Sequence, residues 1–458
     1  MSNNPGTEGR PLRVAVVGSG PSGFYAAESM FKADAVIEVD VYDSLCAPFG
    51  LVRYGVAPDH AKLKKVIKVY EKTASNDRFA FFGNVTVGRD IRVEELRRFY
   101  DAIVFANGAQ TDRRLGIPGE DLPGSYTATE FVAWYNGHPD FQDRTFDLSH
   151  EVAVIIGQGN VAMDVGRILA KSMDELKNTD ITAQSLERLA ESRVREIHMI
   201  GRRGPAQAAF TPPEIKEFGE LAICEPVVTP ESLVLNAQSA TELENNREAK
   251  KNYGFLKGFS ERPAPTSERR FIIHFLKSPK ELVGNGRLER VILEKNTLAG
   301  NSGKQWSEGT GETEVLECGA LFRSVGYRGV PIEGVPFEEK RGVFPNEDGR
   351  IVNGSTPIPG LYAVGWIKRG PTGVIGTNKP DANATIKNLL EDIPSLKPCE
   401  EPTRAAVSDF FRIKGVAVIS YADWQKIDAA EVECGQVAGK PREKFVHVDE
   451  MLRAAEKD

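Results

Sequence analysis

Short apolar blocks, each closed by a glycine or an acid, set the rhythm of this chain. Residues 13–17 (RVAVV) form a block that ends at Gly18, and 36–42 (VIEVDVY) alternates and ends at Asp43, with a helix-like stretch, 21–33, between them. Apolar runs of this length read as strands, and the three segments together predict a β-α-β unit of a parallel sheet. A lysine-rich helix is predicted over 58–74, and a further strand over 101–106 ends in Asn107-Gly108. The rhythm restarts at 152–156 (VAVII), which leads into Gly157 and a predicted helix over 160–172. An extra charged helix is expected over 174–193, and a strand over 195–200 closes on Gly201-Arg202-Arg203. Residues 239–270 are polar and charged and read as an exposed excursion. Strands return at 271–276 and 288–294, a Gly/Ser-rich hairpin loop is expected over 300–313, and 319–326 reads as a closing strand and turn. A strand at 361–365, a Gly-rich turn, a helix at about 381–391, a Pro-rich join at 394–402 and an amphipathic tail complete the chain.

The two β-α-β starts place Gly18 and Gly157 139 residues apart, and the style of the first returns after the second. This is an internal repeat with one domain inserted into another. The predicted fold is α/β with two Rossmann-like dinucleotide-binding domains, an outer one over 12–112 and 330–458 and an inner one over 113–329.

The composition adds bounds. With 458 residues, 41% hydrophobic and 27% charged, the chain can bury a core in each of two or three domains. A formal net charge of -7 gives no reason to expect nucleic-acid binding. No apolar stretch reaches the length of a membrane span. The polar stretch from Met1 to Pro11 carries neither a signal-peptide core nor an Arg-rich transit pattern and reads as a short disordered lead-in, so the expected location is cytoplasmic. The cysteines, Cys46, Cys224, Cys318, Cys399 and Cys434, are scattered and never form C-x-x-C. No metal site and no vicinal redox dithiol are expected from them.

Each glycine of Gly18-Ser-Gly20-Pro-Ser-Gly23 has a physical task. Gly18 makes the turn, Gly20 leaves room for a pyrophosphate, and Gly23 lets helix and strand approach closely. The helix N-terminus supplies unpaired N–H groups for the phosphates. Asp43, at the end of the second strand, suits the hydroxyls of an unphosphorylated ribose and repels a 2′-phosphate. The first cradle therefore takes FAD or NAD. The second, Gly157-Gln158-Gly159-Asn160-Val161-Ala162, ends its second strand with Arg202-Arg203 in place of an acid. Two guanidiniums there suit a 2′-phosphate. A solvated basic turn is the bland alternative. One acidic and one basic cradle in a single chain imply FAD held permanently and NADPH exchanging.

Four longer runs carry a resemblance. Pro48-Phe-Gly-Leu-Val-Arg-Tyr-Gly-Val-Ala-Pro-Asp-His60, Gly157-Gln-Gly-Asn-Val-Ala-Met-Asp164, Gly201-Arg-Arg-Gly-Pro205 and Gly365-Trp-Ile-Lys-Arg-Gly-Pro-Thr-Gly-Val-Ile-Gly-Thr-Asn378 resemble the adrenodoxin reductase family, ferredoxin–NADP reductases of the glutathione-reductase-like fold. The resemblance runs from about residue 12 into the tail segment 423–452. It implies FAD contacts from the Gly18–Gly23 loop with Pro21, from Asp43, Leu51, Val87 and Trp366, and from Gly373, Val374 and Ile375. It implies NADPH contacts from Gln158, Gly159, Asn160, Val161, Arg202, Arg203, Glu214 and Gly373, with Arg113 a further candidate. His60, Asp164 and Glu217 are the implied catalytic set near flavin and nicotinamide, and the inner domain would hold NADP, the outer FAD.

The implied chemistry is hydride transfer from NADPH to FAD, then single electrons to a ferredoxin-type iron–sulfur protein, acidic and transiently bound. Bland alternatives stand beside each role: His60 as a helix-capping residue, Glu217 as a solvated carboxylate, Trp366 as core. Lys62, Lys64, Lys65 and Lys68 are either a docking face for an acidic ferredoxin or an ordinary solvated helix face. The segment 241–257 mixes acids and bases, which leaves the electron acceptor open, and the paired prolines at 212 and 213 suggest a local change of backbone beside Glu214. The competing functions are a flavin monooxygenase and a non-catalytic flavin-bearing sensor.

Overall fold

The computed structural model describes residues 5–456. Two β-α-β units carry the architecture. Strand β1 (Leu12–Val17), helix α1 (Pro21–Phe31) and strand β2 (Ile37–Tyr42) form the first. Strand β3 (Val152–Ile156), helix α2 (Asn160–Ala170) and strand β4 (Glu196–Ile200) form the second. Helices α3 (Pro212–Phe218) and α4 (Asn378–Asp392) complete the elements that position the candidate sites. All six residues of β1 are buried. Val14 and Val16 enter one hydrophobic core and Ala15 and Val17 another, which is why the strand reads as an unbroken apolar run.

The chain divides into two compact units. One contains the chain up to Val56, His60–Thr111 and everything from Gly326. The other contains Asp112–Val325 together with Ala57–Asp59. In the first unit a seven-stranded sheet runs Asn346–Glu347, Arg350–Asn353, Thr356–Ala363, Ala102–Phe105, β1, β2, Phe79–Phe82. The last five pair in parallel and the first two form an antiparallel ribbon. In the second unit an all-parallel sheet runs Ser125–Thr127, Ala320–Arg323, β3, β4, Arg269–His274, Cys224–Val227. A three-stranded antiparallel sheet (Lys277–Val283, Arg290–Ala299, Trp306–Glu317) lends Leu282, Val291 and Leu293 to the core beside Val154 and Ile156. The fold is α/β with two parallel Rossmann-like sheets, as the repeated rhythm predicts. Among the described residues no helix is long and apolar enough to cross a membrane.

Several local expectations need correction. The segment 239–270 is no exposed excursion: it forms two helices, Ala237–Asn245 and Arg247–Ser260, the second burying Ala249, Asn252, Leu256 and Phe259. The hairpin loop expected over 300–313 shrinks, because the strand Trp306–Glu317 occupies most of it. The helix expected over 58–74 is broken into Ala61–Lys64 and Ile67–Ala74, and that over 174–193 into Met173–Leu176 and Ala183–Ala190. Of the expected disordered lead-in, Met1 to Asn4 lie outside the described residues. The rest is ordered: Thr7 and Arg10 form a bridge, and the Arg10 guanidinium donates to Asp101 at 2.7 Å.

A histidine pair gives the second unit a pH dependence of known sign. The His198 and His274 rings stack at 5.2 Å, with Nδ1 of His198 2.9 Å from Nε2 of His274. Burial, the nearby Lys277 ammonium and the His198 ring push His274 down to about 3, and burial lowers His198 against the pull of Glu196. Both take up a proton less readily in the folded state than in the unfolded chain, where the ordinary value is about 6.5. The stabilisation is complete above that value and is lost as the pH falls toward 3, at up to about 1.4 kcal/mol per pH unit for His274. Urea midpoints are expected to drop between pH 7.5 and 5, and His274→Asn should flatten that drop. An equal slope in the variant would exclude the pair as its source.

Candidate dinucleotide sites

The first cradle forms where the order of strands reverses, at the carboxyl end of β1 between β2 and Ala102–Phe105. Gly18 has φ +112°, and a Cβ there would lie 2.5 Å from the Ala106 carbonyl oxygen. A Cβ on Gly23 would lie 2.1 Å from the Gly18 carbonyl oxygen, so α1 rests on β1 with no side chain between them. A Cβ on Gly20 would meet nothing of the protein within 4 Å. The loop is thus closed by backbone below and open above. Pro21 starts α1 at its first position, where its missing N–H costs nothing.

Asp43 sits beside this loop. Its carboxylate accepts from Ser19 N at 3.0 Å, Ser19 Oγ at 2.5 Å and Leu45 N at 3.0 Å. Burial raises its pKa against the pull of those bonds. The Asn107 side chain, one residue from Ala106, has both its nitrogen and its oxygen buried with no partner. Orphaned amide groups at a glycine loop are what a bound dinucleotide would satisfy. From sequence, Ser19 is read only as part of the Gly18–Gly23 loop, and Asn107 and Phe49 are assigned no cofactor role. Phe49 holds φ +85° and donates its N–H to Ser19 O at 3.0 Å, pinning the Pro48-Phe49-Gly50 turn on the loop. Leu51, half-buried, opens the short helix that follows.

The run from Gly365 to Asn378 reaches the same loop. Ser22 Oγ lies 3.0 Å from Asn378 Oδ1, and a Cβ on Gly365 would overlap Ser22 Oγ at 2.0 Å. Asp381 ties this run together: it accepts from Gly365 N at 2.6 Å and pairs with Lys368 and Arg369. Gly373 (φ +82°), Val374 and Ile375 form an exposed turn leading into α4, so the N-termini of α1 and α4 lie side by side. Trp366 is half-buried, stacked on Tyr327 at 5.5 Å, with Nε1 donating to Thr372 O. Val87 is buried in the turn after Phe79–Phe82, whose Val85 N donates to Asp43 O.

The second cradle repeats the first within its own unit. Gly157 has φ +130°, with its Cβ direction blocked by the Ser324 carbonyl oxygen at 2.1 Å, and Gly159 is open. Gln158 is anchored twice, by Nε2 to His274 O at 2.8 Å and by its carbonyl to Ala209 N at 3.0 Å. Asn160 Oδ1 accepts from Thr211 N at 2.9 Å, which fixes the start of α3, and Val161 is half-buried on α2. The paired prolines suit this geometry, since Pro212 takes the first helical position of α3.

After β4 the chain turns at Gly201, where any Cβ would overlap the Gln158 amide. Arg202 is exposed and Arg203 half-buried. Neither guanidinium has a hydrogen bond or ion pair among the described residues. Burial and the charge of Arg202 lower the pKa of Arg203. Asn296 holds the turn by donating to Arg202 O at 3.0 Å. Two adjacent like charges that make no direct ion pair among the described residues, next to an open glycine loop, fit a dianionic phosphate. Arg113 is exposed where the chain enters this unit, in a stretch apart from the basic turn.

The expected catalytic set is split between the units. His60 belongs to the first and caps the short helix Ala61–Lys64, although its side chain makes no capping hydrogen bond. Asp164 on α2 and Glu217 on α3 belong to the second, as does Glu214. Asp164 and Glu214 are buried and both touch Arg167, at 2.5 Å and 2.9 Å. All five cysteines are free, and only Cys434 is exposed.

Residues 12–203 match the family model "Pyridine nucleotide-disulphide oxidoreductase". Over its length the chain is 45% identical to the NADPH-ferredoxin reductase FprA of Mycobacterium tuberculosis, covering 97% of this chain and 99% of that one. The chain belongs to the adrenodoxin/ferredoxin reductase family. A second member, the mitochondrial NADPH:adrenodoxin oxidoreductase of Mus musculus, is 43% identical over 98% of this chain and 92% of its own. Among solved structures of the family, that of Mycobacterium tuberculosis FprA in complex with NADPH superposes with a TM-score of 0.93, at 44% identity over 98% of this chain and 100% of that chain.

Proposed function

We propose that this chain is an FAD-dependent NADPH–ferredoxin reductase. FAD belongs to the first unit, at Gly18 to Gly23, Asp43 and the Gly373–Ile375 turn. NADPH belongs to the second, at Gln158 to Val161, Arg202 and Arg203. The observation that carries this reading is the opposite electrical character of the two cradles: a carboxylate beside one, two guanidiniums with no hydrogen-bonded ion pair among the described residues beside the other. The names of the relatives supply the acceptor class, an iron–sulfur protein. Bound FAD supplies the step between a two-electron hydride donor and a one-electron acceptor. The protein's part is to bind and orient. The N-terminus of α1 presents unpaired N–H groups to anionic groups, and α4 adds a second positive dipole end beside it. His60 is assigned to orient the nicotinamide, and Asp164 and Glu217 are the carboxylates assigned to the same step. The helical stretch after His60 offers Lys62, Lys65 and Lys68 with exposed Leu63 and Val69, a face suited to an acidic partner.

Rapid mixing of the yellow protein with NADPH under anaerobic conditions tests the reading: the flavin absorbance should bleach and then return when ferredoxin is added. Protein that stays yellow defeats it, and oxygen uptake requiring an organic substrate points to a monooxygenase. His60→Gln is expected to slow bleaching about ten-fold, because a misplaced donor loses its alignment. An unchanged single-turnover rate assigns His60 a structural role only.

A further inference from the structure

Helix α2 is buried on nearly every side, yet it carries one polar stripe. Asn160, Asp164, Arg167 and, just past its end, Lys171 fall at i, i+4, i+7 and i+11, on one face. That face meets α3. Asn160 binds the residue before α3, and Arg167 binds its carboxylates. The Arg167 side chain is 0% exposed and is shared among four carboxylates. Its Nε lies 2.7 Å from Asp59 and 3.5 Å from Glu217, its Nη2 2.5 Å from Asp164, and its Nη1 2.9 Å from Glu214. Lys171 adds a second bond to Asp59, at 2.6 Å.

The composition of this array sets its chemistry. Arg167 gathers four carboxylates, Asp59, Asp164, Glu214 and Glu217, and Lys171 shares one of them. The guanidinium is driven further toward its charged form by Asp164 and Asp59, and the Asp59 carboxyl falls below the usual carboxylate range beside Arg167 and Lys171. A planar fork with five donors is the one side chain able to hold carboxylates from three separate segments at once. The fixed carboxylates also have a use in the proposed reaction. A dihydronicotinamide that gives up a hydride loses two electrons and becomes a pyridinium cation, and fixed carboxylates stabilise positive charge that develops only as the hydride leaves.

We propose that Arg167 is the positioning residue for the hydride-donating end of NADPH. It fixes Asp164, Glu214 and Glu217 as an oriented anionic array and anchors Asp59, the residue that precedes His60. This rests on the NADPH–FAD reading above and assigns no contact between Arg167 and the substrate.

The test separates the two ends of NADPH. Arg167→Lys keeps one charge but cannot reach four carboxylates. The limiting rate of flavin bleaching by NADPH is expected to fall about ten-fold or more. The Kd of 2′,5′-ADP, which needs only the Arg202–Arg203 end, should stay within about two-fold of wild type. Arg167→Met should be slower than Arg167→Lys, so the retained charge gives partial rescue. Asp59→Asn leaves Arg167 paired with three carboxylates and keeps the test open if the Arg167 variants fail to fold; it should slow bleaching with the same indifference of 2′,5′-ADP. A folded, yellow Arg167→Lys or Asp59→Asn protein that bleaches at the wild-type rate overturns the proposal. So does a parallel loss of rate and 2′,5′-ADP affinity, the mark of a merely structural residue. Failure of the wild-type protein to bleach defeats the parent reading instead, before any variant is compared.

Discussion

Gly23→Ala is expected to yield protein that is colourless and unstable, while Gly20→Ala is expected to yield protein that is colourless but as stable as the wild-type apoprotein. The two glycines lie in one loop and differ in what surrounds them. An added Cβ at Gly23 comes within 2.1 Å of the Gly18 carbonyl oxygen, 3.2 Å of its carbon and 3.3 Å of Val16 Cγ1. The obstacle is backbone, so no rotamer change relieves it; α1 has to move off β1. Phe24, Ala26, Ala27 and Met30 seat that helix in the core at 1% exposure or less, and they leave no slack for the shift. Overpacking of a well-packed core costs about 1–3 kcal/mol even where side chains can give way. At Gly20 the same methyl group meets no protein atom and intrudes only on the open space above the loop. Flavin absorbance per chain and apoprotein urea midpoints for both variants make the comparison. Retention of full flavin by Gly20→Ala would mean that the dinucleotide does not pass over this loop.

That contrast also explains what the chain's sequence makes legible. A glycine cradle is a backbone device, local in sequence, and each of its tasks leaves a glycine at a set spacing. Both cradles and the acid or base that ends each second strand could therefore be read from short stretches, residues 13–43 and 152–203. Features built from distant segments left no such trace. Arg167 lies in an ordinary helical run (VGRIL), and arginine is seldom fully buried unless paired. Of its partners only Asp164 lies at a helical spacing; those at positions 59, 214 and 217 come from distant segments that no spacing announces. Phe49 is a bulky residue held at φ +85° by the loop it pins, a conformation no local preference selects. The Arg247–Ser260 helix was hidden for a different reason. It buries only a thin line of residues, Ala249, Asn252, Leu256 and Phe259, two of them weakly apolar or polar, so its composition looks like a loop. The Trp306–Glu317 strand lies at the edge of its sheet, mostly exposed, and shows no alternation to read.

Replacing Arg202 and Arg203 together by alanine is expected to raise the KM for NADPH about a hundred-fold, leave the KM for NADH unchanged, and make the apoprotein slightly more stable. The first two effects follow from the 2′-phosphate. A charge-assisted hydrogen bond contributes about 1.5–3 kcal/mol. Arg202 is exposed and Arg203 only half-buried, so the low end applies to each. Two such bonds amount to about 3 kcal/mol, and about 1.4 kcal/mol corresponds to a factor of ten. NADH lacks the phosphate and never makes them. The third effect follows from the free protein. Neither guanidinium has an ion-pair partner among the described residues, and burial together with the charge of Arg202 disfavours the charged form of Arg203. Adjacent like charges that Glu242 offsets only in part are a cost in the absence of ligand, and their removal relieves it. A solvated basic turn with no ligand predicts neither the cofactor split nor the opposite signs of affinity and stability. Steady-state kinetics with both nicotinamides and a thermal melt of the apoprotein measure all three. Equal losses for NADPH and NADH would show that the turn supports the cradle's backbone and does not select the phosphate. Asn296, which holds the Arg202 carbonyl, would then become the residue to examine, because it supports the turn, beside the backbone bonds from Leu276 N to Arg203 O and Lys277 N to Gly201 O, without touching either charge.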